Sequence, residues 1–201
     1  MIEIPSDLNP ALVPLAFLLG NWEGAGVAEL FDADGGPGTE KCNFGQEATF
    51  THDGRDFIEY TSHSWVLDGE GKKVRPLETE SGYWRIDKDR KVEVVMIRDQ
   101  GIVEVWYGEL ADQKPQIDLA TDAVARTAAA GPYSGGKRLY GYVNSDLMWV
   151  GEKATPDVPL RPYMSAHLKK VAGLQEWAES LPADTPDGVS FFNADGTPYE
   201  G

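Results

Sequence analysis

The chain has 201 residues, 41% hydrophobic and 25% charged, enough apolar material for one domain with its own core. Its 18 basic and 33 acidic residues give a formal charge of −15, which opposes contact with a phosphate backbone or an anionic leaflet, so neither nucleic acid nor membrane is an expected partner. Cys42 is the single cysteine; a disulfide framework and a cysteine-built zinc site are excluded within one chain, and three histidines leave little for metal chemistry.

No apolar run is long enough to span a membrane. Met1 to Asp7 is acidic and polar where a secretory signal needs a basic segment and an apolar core, so a cytoplasmic location is expected. Residues 1–13 read as a leader. Asn9-Pro10 is a helix start, and Leu12, Leu15, Ala16 and Leu19 recur at helical spacing. Pro14 should confine that helix to a turn or two, a plug across one end of a barrel.

Next comes Gly20-Asn21-Trp22-Glu23-Gly24-Ala25-Gly26. Strand alternation puts Gly20, Trp22, Gly24 and Gly26 on one face, a bulky ring among bare backbone. Two readings are open, a Trp-plugged seam of a curved sheet or room for a flat ligand. Phe31 to Gly38 specifies a loop. Strands are then expected over 42–51, 57–67, 78–87, 91–98, 101–110, 116–126, 137–143 and 146–153, with hairpin signals at His52 to Arg55, Asp87 to Arg90 and Asn144-Ser145. About nine or ten short strands with hardly a helix close most simply into an all-β, antiparallel, up-and-down barrel, covering residues 14–171. Residues 172–201 form a C-terminal extension, in which Leu174, Trp177, Ala178 and Leu181 are spaced for a short amphipathic helix before a Pro/Gly-rich tail carrying Phe191-Phe192. A homodimer through an exposed strand or the Trp177 helix is an open option.

Singly, the polar residues say little. His52 sits in a turn, and His63 lies mid-strand. Glu78, Glu80 and Glu104 are carboxylates on strands whose spacing does not pair them for acid and base work. No nucleophile elbow, phosphate loop or dinucleotide fingerprint is present.

The segment from Gly20 to Gly26 resembles the Gly-x-Trp-x-Gly-x-Gly signature of the nitrobindins. The likeness continues through Phe44 to Glu47, Phe50 to Arg55, Ser64-Trp65, Glu80 to Arg85, Gly101 to Val105, Ala120 to Asp122 and Lys137 to Gly141, which resemble the actinobacterial branch. The resemblance implies a barrel of about ten strands, related in shape to fatty-acid-binding proteins, that holds haem b in an open pocket. Its ferric iron meets nitric oxide and peroxynitrite, and the family is regarded as isomerising peroxynitrite to nitrate.

In that family one histidine holds the iron, within a Pro-His-Leu-Ser-Ala-x-Leu type segment. The corresponding segment here is Pro162-Tyr163-Met164-Ser165-Ala166-His167-Leu168, so the resemblance puts Tyr163 at the ligand position. A threonine that contacts haem in the family has Thr39 as its stand-in, and Trp22 joins the candidate haem contacts. Three outcomes are open. Iron ligation is lost, with haem absent or weakly held; or Tyr163 binds ferric iron as phenolate, its pKa lowered by iron or by Arg161; or His167 substitutes. Four residues return to the same face in strand or helix, but in a strand His167 lies ~13 Å further along. The expected function is thus a nitrobindin-like barrel without efficient peroxynitrite isomerase activity. The alternatives are a haem barrel using Tyr163 or His167, and a non-haem barrel whose cavity holds a small apolar molecule.

Overall fold

A computed structural model describes residues 2, 4–31, 36 and 40–171. Thr39 and the whole extension with Trp177 and Phe191-Phe192 lie outside the described residues. Ten strands follow an N-terminal 3₁₀ helix, Pro10–Leu18: β1 (Gly20–Glu29), β2 (Lys41–Thr51), β3 (Ile58–Leu67), β4 (Lys73–Ile86), β5 (Lys91–Arg98), β6 (Ile102–Leu110), β7 (Gln116–Arg126), β8 (Gly135–Val143), β9 (Asp146–Ala154) and β10 (Arg161–Val171). Each strand pairs antiparallel with the next, and β1 pairs with β10 to close the barrel. The expected all-β up-and-down barrel is the observed one.

The N-terminal helix runs nine residues, longer than Pro14 led us to expect. The reason is its winding. A 3₁₀ helix stacks every third residue on one face, and Leu12, Leu15 and Leu18 are all fully buried. Asn9 caps it by accepting from the Ala11 N–H at 3.0 Å. Two further departures are β10 (Arg161–Val171), beyond the last strand expected from the pattern, and β4, which starts at Lys73 rather than 78 and carries Pro76 opposite Trp65. Pro76 has no N–H to offer the ladder, and the β3–β4 register shifts between Ser64 and Trp65.

The glycines of β1 serve the seam. A Cβ at Gly24 would collide with the His167 carbonyl, and one at Gly26 with the Ser165 carbonyl and the Phe44 ring. Bare backbone there lets β1 approach β10 and leaves Phe44 its place in the lumen. Trp22, 1% exposed, donates its indole N–H to the Leu18 carbonyl at 2.7 Å and meets Tyr142 edge-on, tying the helix to the wall.

The two ends of the barrel differ in chemistry. Towards the helix, the lumen is packed with Trp22, Phe50, Ile58, Trp84, Val92, Val94, Ile117 and Leu147. Towards the far end, where β1 finishes and β10 begins, charge replaces hydrocarbon.

Candidate functional site

At the far end, inward-facing positions on four strands carry charge. On β4 the buried series Ile86, Trp84 continues to Glu80 and Glu78; on β5 Val92, Val94, Met96 continues to Arg98; β6 contributes Glu104 and β8 Arg138. All five are at least nine-tenths buried. Arg98 donates to Glu78 at 3.0 Å and to Glu104 at 2.7 Å, and lies 3.5 Å from Glu80. Arg138 grips both oxygens of Glu80, which also accepts from the Tyr60 hydroxyl at 3.0 Å. Tyr133, on the β7–β8 connection, donates to Glu104.

Buried charges persist only when paired and hydrogen-bonded; every charge of this cluster is paired, and Arg138 Nε is the group of the cluster left without a partner among the described residues. Burial pushes the Glu80 carboxyl up, but the Arg138 and Arg98 charges and the bonds from Arg138 and Tyr60 outweigh it and hold the pKa at about 2. Glu78, with Arg98 opposing, is left above the usual carboxylate range by burial and by the neighbouring Glu80. Lys153 closes the cluster from β9, its ammonium 4.8 Å from the Phe31 ring centroid and 5.9 Å from that of Tyr133. Burial lowers its pKa against the pull of Glu78.

Tyr163 faces this charged lining. Strand phase alone would turn it outward with Ser165 and His167, but the β9–β10 register shifts between Pro162 and Met164. A bulge of this kind re-aims a side chain, and Tyr163 and Met164 are both buried. A Cβ at Gly151 would lie 3.0 Å from the Tyr163 ring and 3.1 Å from the Trp149 ring, so both aromatic side chains pack on that glycine. Among the described residues the buried Tyr163 hydroxyl has no hydrogen-bond partner. Burial and then Glu78 raise its pKa, with Arg98 and Arg138 opposing.

The same bulge separates Tyr163 from His167, which the four-residue spacing put on one face. His167 lies on the outer wall, its side chain 50% exposed and its Nε2 2.5 Å from Asp146 Oδ2. Arg161, the cation considered for Tyr163, pairs with Glu29. His63 is exposed, 3.4 Å from Thr79 Oγ1. His52 is at the helix end beside Asp7, at 3.9 Å. Trp22 is also at that end, six residues along β1 from Ala28, the partner of Met164. A cavity of about 550 Å³ opens beside Tyr163, lined also by Val27, Ala28, Cys42, Val150, Met164 and Ser165. It is a groove at the seam, bordered by residues of β1, β2, β9 and β10.

Residues 11–170 match the family model described as "THAP4-like, heme-binding beta-barrel domain". A ferric nitrobindin-like protein of Streptomyces griseus is 77% identical over 195 residues, covering 96% of this chain and 100% of the relative. A peroxynitrite isomerase of Nocardioides is 43% identical over 166 residues, covering 83% of this chain and 96% of the relative. Among solved structures, a crystal structure of a protein from M. tuberculosis superimposes with a TM-score of 0.71 at 26% identity, covering 82% of this chain and 99% of that one. No helix of the described residues is long and apolar enough to cross a membrane.

Proposed function

The chain belongs to the THAP4-like, haem-binding β-barrel family that includes the ferric nitrobindin-like proteins, and from that premise we propose that it is a member without an axial iron ligand and without efficient peroxynitrite isomerisation. The observation that carries this reading is Tyr163. By the family resemblance it stands at the ligand position, yet its phenol is buried, held neutral by burial and Glu78, and within reach of the paired charges of the cluster. A ferric ligand must be phenolate, and the surroundings oppose that form. His167 points away from the lumen and is engaged by Asp146. The residues present therefore do not fit haem iron. A cytoplasmic location is part of the same reading.

The test is a titration of the purified protein with ferric haem, followed by absorption and by tryptophan fluorescence. The expected result is no saturable binding and no shift of the haem band. Saturable binding lost in Tyr163→Phe would replace this reading with phenolate ligation, and binding lost in His167→Gln would replace it with ligation from the outer wall.

The seam groove favours a second reading, a non-haem barrel that holds a small apolar molecule against Val27, Ala28, Val150 and Met164. Its occupant would enhance the fluorescence of no haem-like chromophore but would compete with an environment-sensitive apolar dye, and a dye that finds no saturable site sinks it.

A further inference from the structure

We infer that the Glu78–Arg98 ion pair, and not the residue at position 163 alone, makes this barrel refuse a porphyrin. The inference rests on the reading that the chain does not take haem, and it names the groups that would have to change for it to do so.

Iron bound by a side chain at position 163 must lie one bond beyond its donor atom. The Tyr163 ring packs on Gly151, the cross-strand partner of Arg138, and Arg138 is linked through Glu80 to Arg98 and Glu78; the charges of all four groups act on the Tyr163 hydroxyl, so ion pairs on β4, β5 and β8 border that volume. A porphyrin needs flat apolar contact on its faces, and a ferric centre is repelled by a neighbouring guanidinium.

Of these groups, Arg98 and Glu78 are the outermost. Arg98 is the last residue of β5 and Glu78 lies two positions beyond Glu80 towards the far end. Arg138 and Glu80 lie deeper, locked by a two-point fork and by Tyr60 and Tyr140. Nor can Arg98 swing aside at little cost. It is 3% exposed and faces three carboxylates, so its departure would strand buried negative charge. Glu78 and Arg98 can, however, be removed together. The exchange is neutral in charge, and Glu104 keeps the Tyr133 hydrogen bond and faces Lys153. A buried ion pair replaced whole by apolar side chains is often tolerated.

The experiment compares four proteins in the same haem titration: the parent chain, Tyr163→His, the triple variant Glu78→Leu/Arg98→Met/Tyr163→His, and a neutral polar version, Glu78→Gln/Arg98→Gln/Tyr163→His. Near-ultraviolet circular dichroism reports packing in each, and absorption of the ferric complex reports histidine ligation. Tyr163→His alone should bind no better than the parent, while the triple variant should bind at least about ten-fold tighter. The Gln version decides if the apolar one does not fold, because it keeps the Glu78 side-chain shape and leaves polar groups that can hydrogen-bond at both positions. Full gain of binding from Tyr163→His alone overturns the inference, as does absence of gain in a folded triple or Gln version. Haem binding by the parent chain is a separate result, which removes the underlying reading instead.

Discussion

Arg138 on β8 reaches across the lumen to Glu80 on β4, with Nη1 2.8 Å from Oε2 and Nη2 on the other oxygen. The strands are not neighbours in the sheet, so this fork ties opposite walls of the barrel. Loss of one member, as in Glu80→Leu or Arg138→Met, should destabilise the protein by about 3–5 kcal/mol, whereas Glu80→Leu with Arg138→Met should cost much less than the sum. Urea unfolding of the three variants measures this, and additive losses would mean that the fork carries no coupling.

Acid should act through the same carboxyl. The Glu80 pKa falls from 4.5 to about 2 in the folded chain, so its contribution is fully present above the unfolded value and is lost as pH drops through that interval. The size is on the order of 3 kcal/mol. Glu78 has the opposite sign, its raised pKa giving relative stability to the protonated side. Unfolding free energy followed between neutral pH and pH 2 should fall for the parent, and fall less steeply for Glu80→Gln. Equal slopes would contradict the assignment.

The Tyr163 hydroxyl is buried with no partner among the described residues, and an unpartnered polar group is a cost of about 1–3 kcal/mol. Tyr163→Phe should accordingly raise stability by about 1 kcal/mol. A loss of that size in chemical unfolding would show that the hydroxyl makes a bond after all.

At the seam, Gly26→Ala forces a methyl into the Ser165 carbonyl and the Phe44 ring. Overpacking of this kind costs about 1–3 kcal/mol. Thermal unfolding checks it, and an unchanged midpoint would show that β1 and β10 separate freely.

His167→Gln removes an exposed pair with Asp146 and should change stability by less than about 1 kcal/mol. The haem titration should also be unaltered; a changed haem spectrum would return His167 to the site.

Much of the barrel is legible in the alternation of β5 and β6 and in short turns such as Asn144-Ser145, where both residues take positive φ, 54° and 71°, as a tight hairpin requires. The charged cluster is legible only in part. Arg98 follows Val92, Val94 and Met96 in phase, so its inward direction can be read from β5 alone, but its meeting with Glu78 and Glu104 depends on which strands face one another. Arg138 carries the same lesson, because its partner is 58 positions away. Tyr163 is the hardest case. Its direction depends on a bulge after Pro162, and a side-chain period of two cannot show where one extra residue is inserted.

The pairing of β1 with β10, Asn21 opposite Val171, also sets an order of events during synthesis. The first strand made waits for the last, so the barrel cannot be completed until almost all of residues 20–171 have left the ribosome. Until then β1 has a single neighbour, and the glycine-lined side of Trp22's strand stands open. Contacts of such long sequence separation form slowly, which makes the interval before closure the period in which this chain is most exposed to wrong pairings with other strands.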